Sequence, residues 1–170
     1  MKTKDLKAYL SGGDLRSIGS VNELLPLIKT QNDFDELFVY MFSEDRLLVM
    51  RAADAVEKIT LTKPDYLDKH KQNILKLLGA SKDKELKWHL ALLASRIKYT
   101  AKEFVEVFKV LTIWAEDKTE SKIVRVNSLQ SLYNLSRENK ELRNDFKTLI
   151  DKISKENIPS INARLKKFQI

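Results

Sequence analysis

The chain of 170 residues contains no cysteine. That excludes disulfide staples, thiolate metal sites and a cysteine nucleophile, and it fits a reducing compartment. Glycine occurs 4 times and proline 3 times. Strands and their turns use more of both, so an all-α chain is expected. No apolar run approaches the roughly 20 residues that span a bilayer. The opening MKTKDLKAYLSGGD has no apolar leader core. A cytoplasmic protein with no membrane segment is therefore expected. The glycines spell neither Gly-x-x-x-x-Gly-Lys nor Gly-x-Gly-x-x-Gly, so no phosphate cradle is written in the sequence. His70 and His89 are the 2 histidines. Glu85 lies one helical turn before His89, but nothing completes a triad, and a histidine with a carboxylate is too few ligands for a structural zinc site. No enzyme activity, cofactor or metal is expected.

What is abundant is charge. The net charge is +7, and its distribution is uneven. Residues 1–62 carry 8 Lys/Arg and 10 Asp/Glu, hence −2, and residues 63–102 carry 10 and 4, hence +6. Residues 103–136 carry 4 and 5, hence −1, and residues 137–170 carry 9 and 5, hence +4. A basic middle band and a basic tail fit an acidic partner or solvated outer helix faces.

Helical signals run along the chain. MKTKDLKAYL reads as a short helix closed by Gly12–Gly13. Ser20 and Glu23 have capping-box spacing ahead of ELLPLI, in which Pro26 is expected to bend the helix. DFDELFVYMF (33–42) is apolar on most sides and is expected to be deeply buried, with its acids serving the helix start. PDYLDKHKQNILKLLG reads as one helix from Pro64 to Gly79, which stops it. Thr100 suits the cap of AKEFVEVFKVLTIW, and KELRNDFKTLIDKI and SINARLKKF complete about ten helices with short connectors.

Three of these helices share one grammar. Arg51, His89 and Asn127 are spaced evenly, since 89 − 51 = 38 and 127 − 89 = 38. The same shift aligns Leu48, Leu86 and Val124; Ala52, Leu90 and Ser128; Ala55, Leu93 and Ser131; Val56, Ala94 and Leu132; and Ile59, Ile97 and Leu135. Within a helix these columns form one apolar face at the 3.6-residue period. Asp45, Asp83 and Ser121 align just before the helices, where caps belong. Equal faces at equal spacing predict stacked units that complete one another's core. Ala52, Ala53, Ala55, Ala91 and Ser128 allow close helix approach.

VRVNSLQSL (124–132) resembles the second helix of a HEAT repeat, with a Val-Arg pair followed by small residues, and ELLPLI (23–28) resembles the Pro-bent first helix of such a repeat. Val49 and Leu90 depart from the pattern, where the family usually has Arg and Ala. The likeness covers residues 20–168 and is clearest from 33 to 136. It implies an all-α, right-handed α-α superhelix of HEAT-like helix pairs, whose second helices line a concave groove. One domain over 1–170 is expected, with an N-terminal cap at 1–19 and pairs at 20–62, 63–99, 100–137 and 138–170. Members of the family are mostly scaffolds for proteins, and a minority, including alkylpurine DNA glycosylases, bind nucleic acid. Such glycosylases use groove tryptophans with an acid. Here the positions one turn after Trp88 and Trp114 are Leu92 and Lys118.

A second set of columns points to a surface. Arg51, Asp54 and Lys58 lie at i, i+3 and i+7, beside the apolar face. Their counterparts are His89, Leu92 and Arg96, then Asn127, Gln130 and Asn134. All but Leu92 are polar. The opposite flank (Met50, Ala53, Glu57; Trp88, Ala91, Ser95; Val126, Leu129, Tyr133) is mostly apolar and is expected against neighbouring helices. The polar columns are expected to form a wet, concave ladder that binds a protein or peptide, made of Arg51, Asp54, Lys58, His89, Arg96, Asn127, Gln130 and Asn134. A nucleic-acid partner held by Lys87, Arg96 and Arg125 is the alternative.

Overall fold

The structure, a computed structural model, describes residues 5–13, 19–137 and 139–168. Of the expected N-terminal helix and cap, residues 1–4 and 14–18 lie outside those described. The described residues form α-helices and 3₁₀ turns without a strand. The chain folds as two compact units, Met1–His70 and Lys71–Ile170.

The first unit is built around α4. Helices α1 (Leu6–Leu10), α2 (Val21–Leu24) and α3 (Gln31–Val39) all pack against α4 (Arg46–Thr60). The apolar face of α4 is fully buried: Leu48, Ala52, Ala55, Val56 and Ile59 meet Phe34, Leu37 and Phe38 of α3 and the buried residues of α1 and α2 in one core. Helix α3 starts on a capping box. The Thr30 hydroxyl accepts from the Asp33 N–H, while the Asp33 carboxylate accepts from the Thr30 N–H at 2.9 Å. Ser20 does not form the expected box. Its hydroxyl donates to the Glu23 carboxylate at 3.4 Å instead. Pro26 ends helix α2 rather than bending it. The chain tightens to a 3₁₀ turn over Leu25–Leu27, where a missing N–H costs little. The stretch 33–42 is also less buried than its composition suggests, because it is amphipathic. Phe34, Leu37, Phe38 and Met41 face the core, whereas Val39 and Phe42 are exposed.

The segment Pro64–His70 is a 3₁₀ stretch, not the first half of a longer helix. Its side chains tie it to the first unit. Leu67 is buried, the Tyr66 hydroxyl donates to the Lys29 carbonyl at 2.9 Å, and His70 stacks on Phe38 with ring centroids 3.9 Å apart.

The second unit is built around α8. Its helices are α5 (Lys71–Ala80), α6 (Lys84–Ala94), α7 (Ala101–Glu116), α8 (Lys122–Ser136), α9 (Lys140–Ser154) and α10 (Pro159–Leu165). Helices α6, α7, α9 and α10 all contact α8. Asp45, Asp83, Ser121 and Thr100 cap their helices as expected, each side chain accepting from a first-turn N–H. The five columns of the 38-residue register are buried throughout, from Leu48, Leu86 and Val124 through Ile59, Ile97 and Leu135, with Ile97 just past the end of α6. Trp114 is core, with the Lys87 ammonium 5.4 Å from its ring centroid.

Gly19 and Gly79 take opposite roles. Gly19 has φ +56, and a Cβ there would lie 2.8 Å from the guanidinium carbon of Arg51. Gly79 lies inside α5 with nothing within 4 Å of such a Cβ, so it does not stop the helix, which runs on to Ala80. In urea denaturation, Gly19→Ala is expected to lose about 1–3 kcal/mol. Gly79→Ala is expected to gain about 0.5–1 kcal/mol, the helical preference of alanine over glycine. Equal effects at the two sites would contradict this packing.

Candidate binding surface

Each second helix buries a wider arc than its apolar columns alone. At 100° per residue, the buried positions of α4 run from the Arg51 column to the Ala53 column, an arc of about 200°. The same arc is buried in α6 and α8. The first rung of the expected ladder therefore lies inside the protein. Arg51 is 0% exposed, His89 1% and Asn127 7%. The polarity of Arg51 serves internal contacts. The Arg51 Nη1 donates to the carbonyls of Leu10 and Ser11, both at 2.9 Å. The His89 ring stacks on Trp88 with centroids 3.4 Å apart.

The other two columns do reach water. On α4, Asp54 and Lys58 form the expected helix pair at 2.8 Å, and both are half-buried. In the second unit Arg96 and Gln130 are half-buried and Asn134 is exposed. There the polar groups link across helices. The Asn134 amide donates to the Ser95 hydroxyl at 3.3 Å, and the Gln130 amide donates to the Asn134 side-chain oxygen at 3.0 Å. Arg164 of α10 donates to the Gln130 side-chain oxygen at 2.7 Å. Ser95, Asn134, Gln130 and Arg164 thus form one hydrogen-bonded row over α6, α8 and α10. The flank expected to be buried is mixed. Ala53, Ala91 and Leu129 are buried, whereas Trp88, Val126 and Tyr133 are partly open to solvent. Tyr133 stacks on Phe168 at 4.4 Å. A row of polar groups beside part-open aromatic and aliphatic side chains suits recognition of a peptide or protein surface.

The cations considered for nucleic acid are placed differently from expectation. Arg125 is 2% exposed. Its Nε donates to the Ala115 carbonyl at 2.8 Å, and its Nη2 lies 2.9 Å from Glu156 Oε2. Lys87 is half-buried and paired with Glu120. A guanidinium tied to a carbonyl and a carboxylate cannot also hold a phosphate, so Arg125 leaves that reading, and Lys87 is compromised by its partner.

One polar cluster was not visible in the sequence. Asp35 accepts from Gln31 at 2.6 Å and from Lys69 at 3.1 Å, and His70 Nε2 lies 2.7 Å from its Oδ1. Burial pushes the Asp35 pKa up, but the bonds from Gln31, His70 and Lys69 and the charge of His70 outweigh it and bring it down to about 2. No periodic signal joins residues 35 apart in the chain. Glu103 is similar in kind. The Thr100 N–H and the Lys71 ammonium outweigh desolvation, and with Gln72 they hold its pKa at about 2. The Tyr99 hydroxyl donates to the Ala94 carbonyl, and burial with the Glu103 charge pushes its pKa upward. These groups anchor helix ends. Among the described residues no group of three or more His, Asp or Glu is placed to hold a metal ion. No described helix is long and apolar enough to cross a membrane.

Two outcomes follow from these contacts. A carboxylate whose folded pKa lies below its unfolded value stabilises the fold above the unfolded pKa, and that stability is lost as pH falls through the folded one. The stability difference between wild type and Asp35→Asn is therefore expected to shrink as pH falls from about 4 to about 2. A difference that stays constant over that window would refute the role of the carboxylate. Glu156→Gln is expected to cost about 1.5–3 kcal/mol in denaturant, as for a hydrogen bond to a charged group, with little change in high salt because Arg125 is buried.

A family model described as HEAT repeat domain matches residues 7–168. No match was found among the curated proteins or among the solved structures.

Proposed function

Because the chain belongs to the HEAT repeat domain family, we propose that it is a non-catalytic binding module that holds a protein or peptide on the face formed by α6, α8 and α10. HEAT repeats generally mediate protein–protein scaffolding. The observation that carries the reading is the row Ser95–Asn134–Gln130–Arg164. Its side chains hold one another at fixed spacing while keeping unspent donors and acceptors toward solvent. Such preorganisation lowers the entropy cost of binding. Trp88, Val126 and Tyr133 beside the row supply apolar area. The set of residues is thus smaller than the eight expected from the sequence. In this reading Gln130, Asn134 and Arg96, which follows α6, are contact residues, whereas Asp54 and Lys58 on α4 and the buried Arg51, His89 and Asn127 leave the set.

The test is a pull-down from the native host, identification of the retained protein by mass spectrometry, and titration with the purified partner. Asn134→Arg is an exposed substitution that leaves the core alone. It is expected to weaken binding about tenfold, or 1.4 kcal/mol, with an unchanged circular dichroism spectrum. Raising salt is expected to change affinity little. Unaltered affinity in the variant would remove this face from the reading. Retention of nucleic acid with a steep loss of affinity in salt would replace the protein partner by a polyanion.

A further inference from the structure

The first unit carries an open cleft of about 390 Å³, lined by Leu25, Pro26, Ile28, Lys29, Lys58, Ile59, Thr62 and Lys63. That volume lies at the lower end of the range for binding sites, roughly 300–1,000 Å³. Its composition is unusual in one respect. Four aliphatic residues meet three lysines, and no acid is among the lining residues. The three ammonium groups arise from separate stretches: the loop after the Leu25–Leu27 turn, the C-terminal part of α4, and the segment that follows it.

The lysines are not equivalent. Lys58 is already matched by Asp54 at 2.8 Å. Lys63 is half-buried, and neutral groups fix it in place. Its Nζ donates to the Lys29 carbonyl at 3.3 Å and to the Tyr66 hydroxyl at 3.2 Å, and it stands 5.0 Å from the Tyr66 ring centroid. An ammonium has three N–H donors, so one remains after these two bonds. Lys29 is exposed. Among the described residues the ammonium of neither Lys29 nor Lys63 has a carboxylate partner, although the Lys29 backbone N–H donates to the Asp33 carboxylate at 3.0 Å. The charge of Lys63 is therefore positioned by the fold and left uncompensated beside an aliphatic floor.

We infer that this cleft is a binding site for an acidic peptide segment with one aliphatic anchor residue flanked by carboxylates. The anchor packs on Leu25, Pro26, Ile28 and Ile59, and the flanking carboxylates pair with Lys63 and Lys29. A fatty carboxylate brings a single charge, which leaves at least one of the two uncompensated lysines unmatched. The cleft shares no residue with the face on α6, α8 and α10, so either can fail without the other.

The test uses the full chain, labelled with ¹⁵N, and the capped peptide Glu-Glu-Leu-Glu-Glu. The expected result is saturable amide shifts at Leu25, Ile28, Lys29 and Ile59 to Lys63. The shifts are expected to vanish when the peptide leucine is replaced by serine and with the peptide Lys-Lys-Leu-Lys-Lys. Lys63→Met and Lys29→Glu should each weaken binding several-fold. Lys29 is exposed, so the second variant keeps its fold if the first does not. Absence of saturable shifts, equal binding by Lys29→Glu, or saturation by sodium decanoate where the peptide gives none would each overturn the inference.

Discussion

Helices α6 and α8 approach so closely that a side chain of one reaches the backbone of the other. The Ser131 hydroxyl donates to the carbonyl of Ala91, a residue in mid-helix whose own side chain is a single methyl. A larger residue at position 91 would hold the helices apart and break the bond. Around this contact Ala94, Ser128 and Leu129 are all fully buried. In the first unit α4 has the same character, with Ala52, Ala53 and Ala55 fully buried against its neighbours. Close packing of small residues fixes which arc of each helix meets water, and therefore which side chains are available for binding. Interiors at crystal-like density transmit that constraint without slack.

Such packing leaves little room for polar groups, yet each unit buries an arginine. Arg51 and Arg125 lie among the largest fully buried side chains. The cost of taking a guanidinium from water is met by converging acceptors: the Leu10 and Ser11 carbonyls for Arg51, and Ala115 with Glu156 for Arg125. These acceptors sit at chain segments flanking the central helix. Ser11 follows α1, Ala115 lies in the last turn of α7, and Glu156 precedes α10. Each arginine therefore joins its helix to an adjacent helix end, where carbonyls lack intrahelical partners. The stretched planar group suits this use better than lysine would.

This explains how far the sequence could be read. The fold was legible because its signals are local. The apolar columns repeat at helical spacing, and Asp45, Asp83, Thr100 and Ser121 cap from fixed positions. The edges of the buried arc were not legible. An arginine, histidine or asparagine beside an apolar face reads as solvent-facing, and the burial of Arg51 depends on an acceptor supplied from far along the chain, 41 residues away at Leu10. The change from 3₁₀ to α-helix after His70 was not legible either, since His70 is held by Phe38 and Asp35, more than 30 residues away. Gly79 shows the converse, a residue with stop-signal chemistry that stays helical because its neighbours continue the helix. Of the expected surface, the positions on the outer side of the helices kept their exposure, and those bordering the core did not.

The functional reading thus rests on a division of labour set by packing: inner polar residues brace the helices, and outer ones remain available to a partner. Its most direct test is the close approach itself. Ala91→Leu, compared with Ala163→Leu on the exposed side of α10, can be followed by urea denaturation. Overpacking at Ala91 is expected to cost about 1–3 kcal/mol, while the exposed control stays within about 0.5 kcal/mol of wild type. If Ala91→Leu is tolerated as well as the control, the helices do not pack as described, and the assignment of inner and outer faces fails with them.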